Sequence, residues 1–448
     1  MIAARSAHRH RLPDWLPWVL LLAVVGRWSH ATFPITTGDL FHTQFAAYEW
    51  HVGTPEKIYS TYDPADHNRW MVEWNKVAAH LDADSLPYLH FYPPFVSASL
   101  APLADVPARY WRDVMLAANL LMILALAYQT VRLCDVRVTS RALLWALMLV
   151  LLTNGVASTV NFGQASMLLA VMIWAGLLLI RRNDHWLGGG LIGAAATFKL
   201  TPLSLLVYPG LRNRWKAVIA GAVIFAGIFL ISWAALGTEI HRAWWSATRS
   251  AGHYVWTCGL DQSVTAWFAR AVLGHSLLAG GFPETPLIAS LRLVSAVVFT
   301  GLSVFLLWIR RRDLVDEHFT AAIGLLMCGV MLSLPFVWNY YFVLPLPVLG
   351  WAIYASWQAG ARKFWSIWLG IAAFFFCVRL YRFYDDTVIG SFFSGSHTIG
   401  LLMLWGWLIQ RVLGASGTSG GRPEAAHSRQ TTAARLRLSA THPPRHAS

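Results

Sequence analysis

The sequence predicts an all-α polytopic membrane protein, a bundle of about twelve transmembrane helices with two long external loops that carry interfacial helices. Composition is the first ground: of 448 residues, 56% are hydrophobic and only 13% charged, far from the balance of a soluble domain. The second is the recurrence of apolar runs close to the roughly 20 residues a bilayer-crossing helix needs. The third is charge placement. Residues 1–13 carry three Arg, and residues 414–448 carry five Arg against one Glu, so both ends read as cytoplasmic anchors. These basic ends supply much of the formal net charge of +13, which therefore implies no nucleic-acid partner.

The chain divides into a cytoplasmic segment 1–13, a transmembrane domain 14–413 and a tail 414–448 rich in Gly, Ser, Ala, Pro and Arg, expected to be disordered. The first helix runs from about Asp14 to His30. It has a signal-peptide-like core but no small-residue cleavage site, and reads as uncleaved. The external loop 31–90 follows, with eight acids against Lys57, Arg69 and Lys76. Within it Phe41, Phe45, Tyr48 and Val52 step by four, three and four, which predicts a helix with its apolar face along the membrane surface. Trp70, Trp74, Val77 and Leu81 repeat that spacing and predict a second interfacial helix.

Pro87 to Phe95 leads into an apolar stretch ending at Pro102, and Pro93-Pro94 suits a helix start, where no amide donor is lost. Hydrophobic spans then follow at about 109–131, 142–160, 164–181, 187–209 and 214–236. The second polar segment, 237–285, precedes spans at about 286–309, 317–336, 339–358, 363–380 and 396–412. Twelve spans place both polar segments outside, but turn Arg132, Arg137, Arg141, Arg181 and Arg182 outward as well, against the positive-inside rule. If 91–104 and 187–209 are instead re-entrant pairs, those cations turn inward and the turn at Gly163-Gln164 comes outside.

Asp39 is the central candidate for chemistry. A carboxylate at the membrane–water boundary can take a proton from a hydroxyl arriving from water while an apolar-tailed substrate arrives from lipid. Its plain alternative is a helix N-cap. In the second loop, Arg242, Ser246, Arg249 and His253 form a polar stripe opposite Ile240, Trp244 and Ala247. Arg249 and His253 are candidates for a phosphate, and Arg242 for lipid headgroups. Asp261-Gln262-Ser263, with Arg270 nine residues beyond Asp261, could hold the phosphate of a lipid-linked donor. An intramembrane Lys199 before Thr201-Pro202 is costly unless it faces a cavity or an acid, or snorkels to the interface. Asp82-Ala83-Asp84 matches a metal-binding DxD only superficially and reads as a solvated loop. The loop histidines share no metal spacing, His90 beside Tyr92-Pro93-Pro94 being the one most worth testing, and the four cysteines form no framework.

The order of these features, together with Pro335-x-x-Trp338-x-Tyr340-Tyr341, resembles bacterial glycosyltransferase family 87, polyprenyl-phosphate-mannose-dependent mannosyltransferase-like proteins of the GT-C superfamily. The resemblance covers about residues 14–412. It implies a GT-C-like bundle and inverting transfer of a hexose, mannose by family, from a polyprenyl-phosphate sugar to an envelope glycan or glycolipid. No cofactor is implied beyond that donor substrate. The active site would lie on the external, periplasmic side of the inner (plasma) membrane. Asp39 matches the position of the base, and Gln164, Lys199, Gln262, Arg270 and Trp338 match motif positions. His42 departs from the aromatic that commonly follows the acid at that spacing, and Asp261 stands where Asn is usual. The readings from other classes are a transporter or flippase for a lipid-linked molecule, which would share the broken helices, and a scaffold with a degenerate site.

Overall fold

The computed structural model describes residues 15–32, 38–60, 75–83, 90–274, 281–314, 318–359, 363–380 and 387–414. The basic N-terminal segment, the tail, Trp70 and Trp74 lie outside them. The chain is a helical bundle, and its small β content is a two-residue antiparallel ladder pairing Tyr254 with Pro283 and Val255 with Phe282.

Among the described residues three helices, Ala108–Leu133, Trp215–Leu236 and Pro286–Ile309, are long and apolar enough to cross a membrane. Ser140–Leu152 and Asn154–Phe162 make a fourth crossing if the pair, bent by 67°, counts as one span. Leu16–Ser29, Ser166–Arg181, Phe319–Ser333 and Phe364–Cys377 are shorter apolar helices. Much of the apolar surface of Trp215–Leu236 stays exposed, Val223, Leu230 and Ile231 among it, as expected of residues facing lipid.

The segment at 185–211 turns back, as in the re-entrant alternative for 187–209. Helix His185–Phe198 breaks at Lys199, and a 3-10 turn, Thr201–Leu206, leads into the short helix Val207–Leu211. Just beyond it Arg214 Nη1 donates to Ile180 O at 3.3 Å, beside the start of the same excursion. Arg181 pairs with Asp135, and Arg212 donates to Arg311 O. The basic turns near 135, 181, 212 and 311 thus share one end of the bundle. Gly189 permits the tight packing here, since a Cβ on it would lie 2.0 Å from Ala217 O on the neighbouring helix.

The opposite end gathers the two long polar segments. Gln44 Nε2 donates to Val106 O at 2.6 Å, Ala108 N to Leu81 O at 3.0 Å and Trp244 Nε1 to Phe91 O at 3.0 Å. Helix Gly38–His51 has the predicted period, but its apolar side does not lie on a membrane surface. Phe41 and Phe45 are buried within the protein, and Phe41 packs on Ala78 and Leu81 beside the helical turn 75–80. Helix Thr238–Gly252 likewise docks Ile240, Trp244 and Ala247 onto Ala46, Ile58 and Tyr59. Burial against protein wins because both segments fold over each other and shield these faces.

Candidate active site

Asp39 sits in the first turn of helix Gly38–His51, and its carboxylate reaches away from that helix. Oδ2 accepts a hydrogen bond of 2.5 Å from Gln164 Nε2. Gln164 follows the bend of helix Asn154–Phe162, which ends at Gly163 in the left-handed conformation (φ 66°). A Cβ there would also lie 2.7 Å from Leu40 Cβ, so glycine lets the turn close onto the residue next to Asp39. The Tyr92 hydroxyl donates to Gln164 Oε1 at 2.9 Å, and the Tyr340 hydroxyl also bonds the Asp39 carboxyl.

Lys199 completes the cluster. The helix break turns it extended (φ −148°, ψ 128°), and its ammonium sits over the Tyr341 ring at 4.0 Å, with Tyr340 at 5.4 Å and Tyr92 at 5.6 Å. Three aromatic faces stabilise the cation without neutralising it. Burial is the main influence on Asp39 and raises its carboxyl to about 6, although the Gln164 bond, the Lys199 charge and the Tyr340 bond each pull it down. A carboxyl so placed is poised to exchange a proton near neutrality. Lys199 and Tyr341 also line a small apolar pocket whose walls include Leu169, Ile173, Met331 and Leu344.

The structure thus brings Asp39, Tyr92, Gln164 and Lys199 together. His42 and His90 pack beside them, their rings 5.7 Å apart, with Tyr92 5.6 Å from His90. Trp338 stands one layer out, stacked on Tyr340 at 6.5 Å. Tyr340 and Tyr341 were not singled out as ligands from sequence. Their signal was the motif they share with Trp338.

Arg270, Gln262 and Asp261 are placed differently from the phosphate-facing role expected of them. Arg270 is fully buried: Nε donates to Ser394 Oγ at 2.8 Å, and Nη1 to the carbonyls of Asp261, Thr257 and Cys258 at 3.1–3.3 Å. Gln262 Nε2 holds Gly259 O and Ser394 O, while its Oε1 accepts from His397 N. Asp261 Oδ1 accepts from Ser263 N and Val337 N, and an isolated β-bridge joins Asp261 to Trp338. Asp261 holds the loop at 257–263 against the segment at 335–341, which carries Trp338, Tyr340 and Tyr341, while Gln262 and Arg270 tie that loop to residues 394–397.

His253 is exposed and pairs with Glu284 at 2.6 Å, and Glu284 in turn binds Arg292 at 2.7 Å. Arg249 is exposed on helix Thr238–Gly252, as is Arg242. None of these contacts joins the Asp39 cluster. Asp82 is exposed in a left-handed turn (φ 54°), and Asp84 lies outside the described residues. Among the described residues, no group of three or more His, Cys, Asp or Glu is arranged to hold a metal.

The bundle thus places a half-buried carboxylate and a half-buried cation in one cluster beside an apolar pocket. The profile of glycosyltransferase family 87 matches residues 90–335, and the chain belongs to that family. A polyprenol-phosphate-mannose-dependent alpha-(1-2)-phosphatidylinositol pentamannoside mannosyltransferase of Mycolicibacterium smegmatis is 27% identical over 289 residues, 62% of this chain and 65% of the relative. An alpha-(1->3)-arabinofuranosyltransferase of Mycobacterium tuberculosis is 26% identical over 308 residues, 67% of this chain and 66% of the relative. Its counterpart in Corynebacterium glutamicum is 27% identical over 328 residues, 70% of this chain and 72% of the relative. The matches to the first two relatives thus span just under two thirds of their length. No solved structure matches.

Proposed function

We propose that this protein transfers a hexose, mannose in the first instance, from a polyprenyl-phosphate sugar to a glycan or glycolipid acceptor on the external face of the plasma membrane, with inversion. The observation that carries the reading is the Asp39 carboxyl, bonded to Gln164 and Tyr340, in one cluster with Lys199, which lines an apolar pocket. Family membership supports glycosyl transfer, and the similarity to the M. smegmatis mannosyltransferase supports the lipid-linked mannose donor.

In this reading the pocket takes the first part of the prenyl chain and Lys199 pairs with the phosphate. Asp39 removes the proton of the acceptor hydroxyl as its oxygen bonds to the anomeric carbon. The bond from that carbon to the phosphate oxygen breaks on the opposite face. Polyprenyl phosphate leaves with the electron pair, and its charge is held by Lys199. The proton stays on Asp39 until water or buffer takes it.

The test is sugar transfer from a synthetic polyprenyl-phosphate mannose by purified protein, with product linkage read by NMR. Asp39→Asn keeps the shape and removes the base, so transfer should fall about 100-fold or more while folding is retained. Parental transfer by Asp39→Asn would remove Asp39 from the mechanism. Passage of intact donor across vesicles without sugar release would favour a flippase.

A further inference from the structure

The cluster contains a pair of side chains that the mechanism above does not use. His42 lies one helical turn beyond Asp39, so both project from the same side of helix Gly38–His51. His90 approaches from the segment that carries Tyr92. The rings of His42 and His90 lie edge to face at 5.7 Å, with Tyr92 6.4 Å from His42 and Tyr59 5.9 Å from His90. Both are more than nine-tenths buried, at 5% and 4% exposure. Yet Nδ1 of His42 and both ring nitrogens of His90 have no hydrogen-bond partner among the described residues.

That arrangement is expensive if the rings are only packing. Phenylalanine would fill the same space without leaving buried donors and acceptors unmet. A metal is a poor explanation, because no third ligand joins the pair among the described residues. A charge switch is equally poor, since burial holds His90 down to about 3 and, as the largest influence, keeps His42 well below its usual range. Both rings are therefore neutral, and each carries one N–H donor and one acceptor nitrogen. A sugar hydroxyl, which also donates and accepts, is the complementary group. Two such rings side by side suit two neighbouring hydroxyls.

We propose that His42 and His90 form a subsite that binds two adjacent hydroxyls of a sugar ring seated at Asp39, and so set which sugar is accepted. The proposal rests on the glycosyltransferase reading and names the recognition element of that same site. The ring could belong to the donor or to the acceptor, and the two sources share this chemistry.

The test uses full-length protein, polyprenyl-phosphate mannose as donor and octyl α-mannopyranoside as acceptor. His42→Phe and His90→Phe should melt no lower than the parent, because each removes buried unpaired polar atoms. Each should raise one KM by tenfold or more with kcat nearly unchanged, and His90→Gln, which keeps a donor and an acceptor, should recover much of that loss. A rise confined to the acceptor KM places the acceptor ring at the pair, and one confined to the donor KM places the donor ring there. Unchanged KM values for both substrates in stable Phe variants would overturn the proposal. Should the parent consume no donor, the glycosyltransferase reading fails by itself. Tryptophan-fluorescence titration of the same two probes then decides: tenfold weaker binding by the Phe variants supports the subsite, and equal binding refutes it.

Discussion

The Tyr92 hydroxyl donates to Gln164 Oε1 at 2.9 Å, and the other end of that amide donates to Asp39 Oδ2 at 2.5 Å. Tyr92 thereby decides which way the amide points, since a carboxamide with its oxygen taken by a hydroxyl must offer its NH2 to the carboxylate. One Asp39 oxygen is fixed by this chain. Tyr92→Phe removes the constraint without touching Asp39. It should lower kcat about tenfold, the scale of one hydrogen bond at about 1.4 kcal/mol, and leave donor KM unchanged. A fall in kcat smaller than twofold would show that Gln164 holds its orientation by other means.

The pH profile follows from the same carboxyl. Burial raises Asp39 to about 6, with the Gln164 bond, the Lys199 charge and the Tyr340 bond opposing only in part. The base exists only when deprotonated, so kcat/KM should rise about tenfold per pH unit up to that value and level off above it. Stability runs the other way. A raised carboxyl binds its proton more tightly in the native state, so the stabilisation is complete below the unfolded value of about 3.9 and is lost as pH rises through about 6. Thermal denaturation of Asp39→Asn should lack that component, giving a flatter dependence across the same window.

Lys199 tests the donor end. Its ammonium sits 4.0 Å over the Tyr341 ring, which suits a compact cation. Lys199→Met keeps the stem and removes the charge, and should raise donor KM about tenfold or more with acceptor KM unaltered. Lys199→Arg should restore little, because a planar guanidinium does not fit the place of a point charge among three rings. Steady-state kinetics with each substrate varied in turn separates these outcomes. Equal loss in both KM values would argue against a phosphate role.

Asp39, Gln164 and Lys199 were legible in the sequence because each sits at a feature that composition alone makes costly or unusual. These features are an acid just past the first helix, a Gly-Gln turn between apolar runs, and a lysine before a proline within one. For Gln262 and Arg270 the sequence left the partners open. Spacing identifies a buried cation but not its partner, and an arginine held by Thr257, Cys258 and Asp261 carbonyls has the same sequence signature as one holding a phosphate. The excursion at 185–211 stayed one of two alternatives for a related reason. Hydropathy registers apolar residues but not the reversal at Lys199, and contacts such as Arg214 to Ile180 O were needed to show that both ends return to one side.

At Asp261 the structure allows either an aspartate or an asparagine. Oδ1 accepts from Ser263 N at 2.8 Å and Val337 N at 2.9 Å, whereas Oδ2 has no partner among the described residues. Burial, the largest influence, raises this carboxyl despite those bonds and the Arg270 charge. Its contribution to stability is therefore present at acidic pH and lost as pH rises through the native value. Asn would keep both accepted bonds and carry no charge. Asp261→Asn should accordingly melt higher than the parent at neutral pH and approach it on acidification, with transfer retained. A lower melting temperature at neutral pH would mean that the charge stabilises this loop.

Arg270 separates a structural strut from a phosphate clamp. Its Nε bond to Ser394 Oγ and Nη1 bonds to three carbonyls tie the loop at 257–263 to the turn at 391–394. Those carbonyls lose their partner if the guanidinium goes, and no water replaces it in a site with no exposure. Lysine can reach one or two of them but cannot supply the fork. Arg270→Lys should therefore destabilise the fold by roughly 3 kcal/mol, the scale of charged hydrogen bonds lost from a buried site. That loss would appear as lower yield and a lower melting temperature. The molecules that remain folded should bind donor normally, because Lys199 lines the pocket and Arg270 is spent on the main chain. Donor KM, measured well below the melting temperature and corrected for active fraction, is the deciding quantity. A tenfold rise in donor KM with an unchanged melting temperature would return Arg270 to the phosphate, and the loop at 257–263 would then have to open for the donor to reach it.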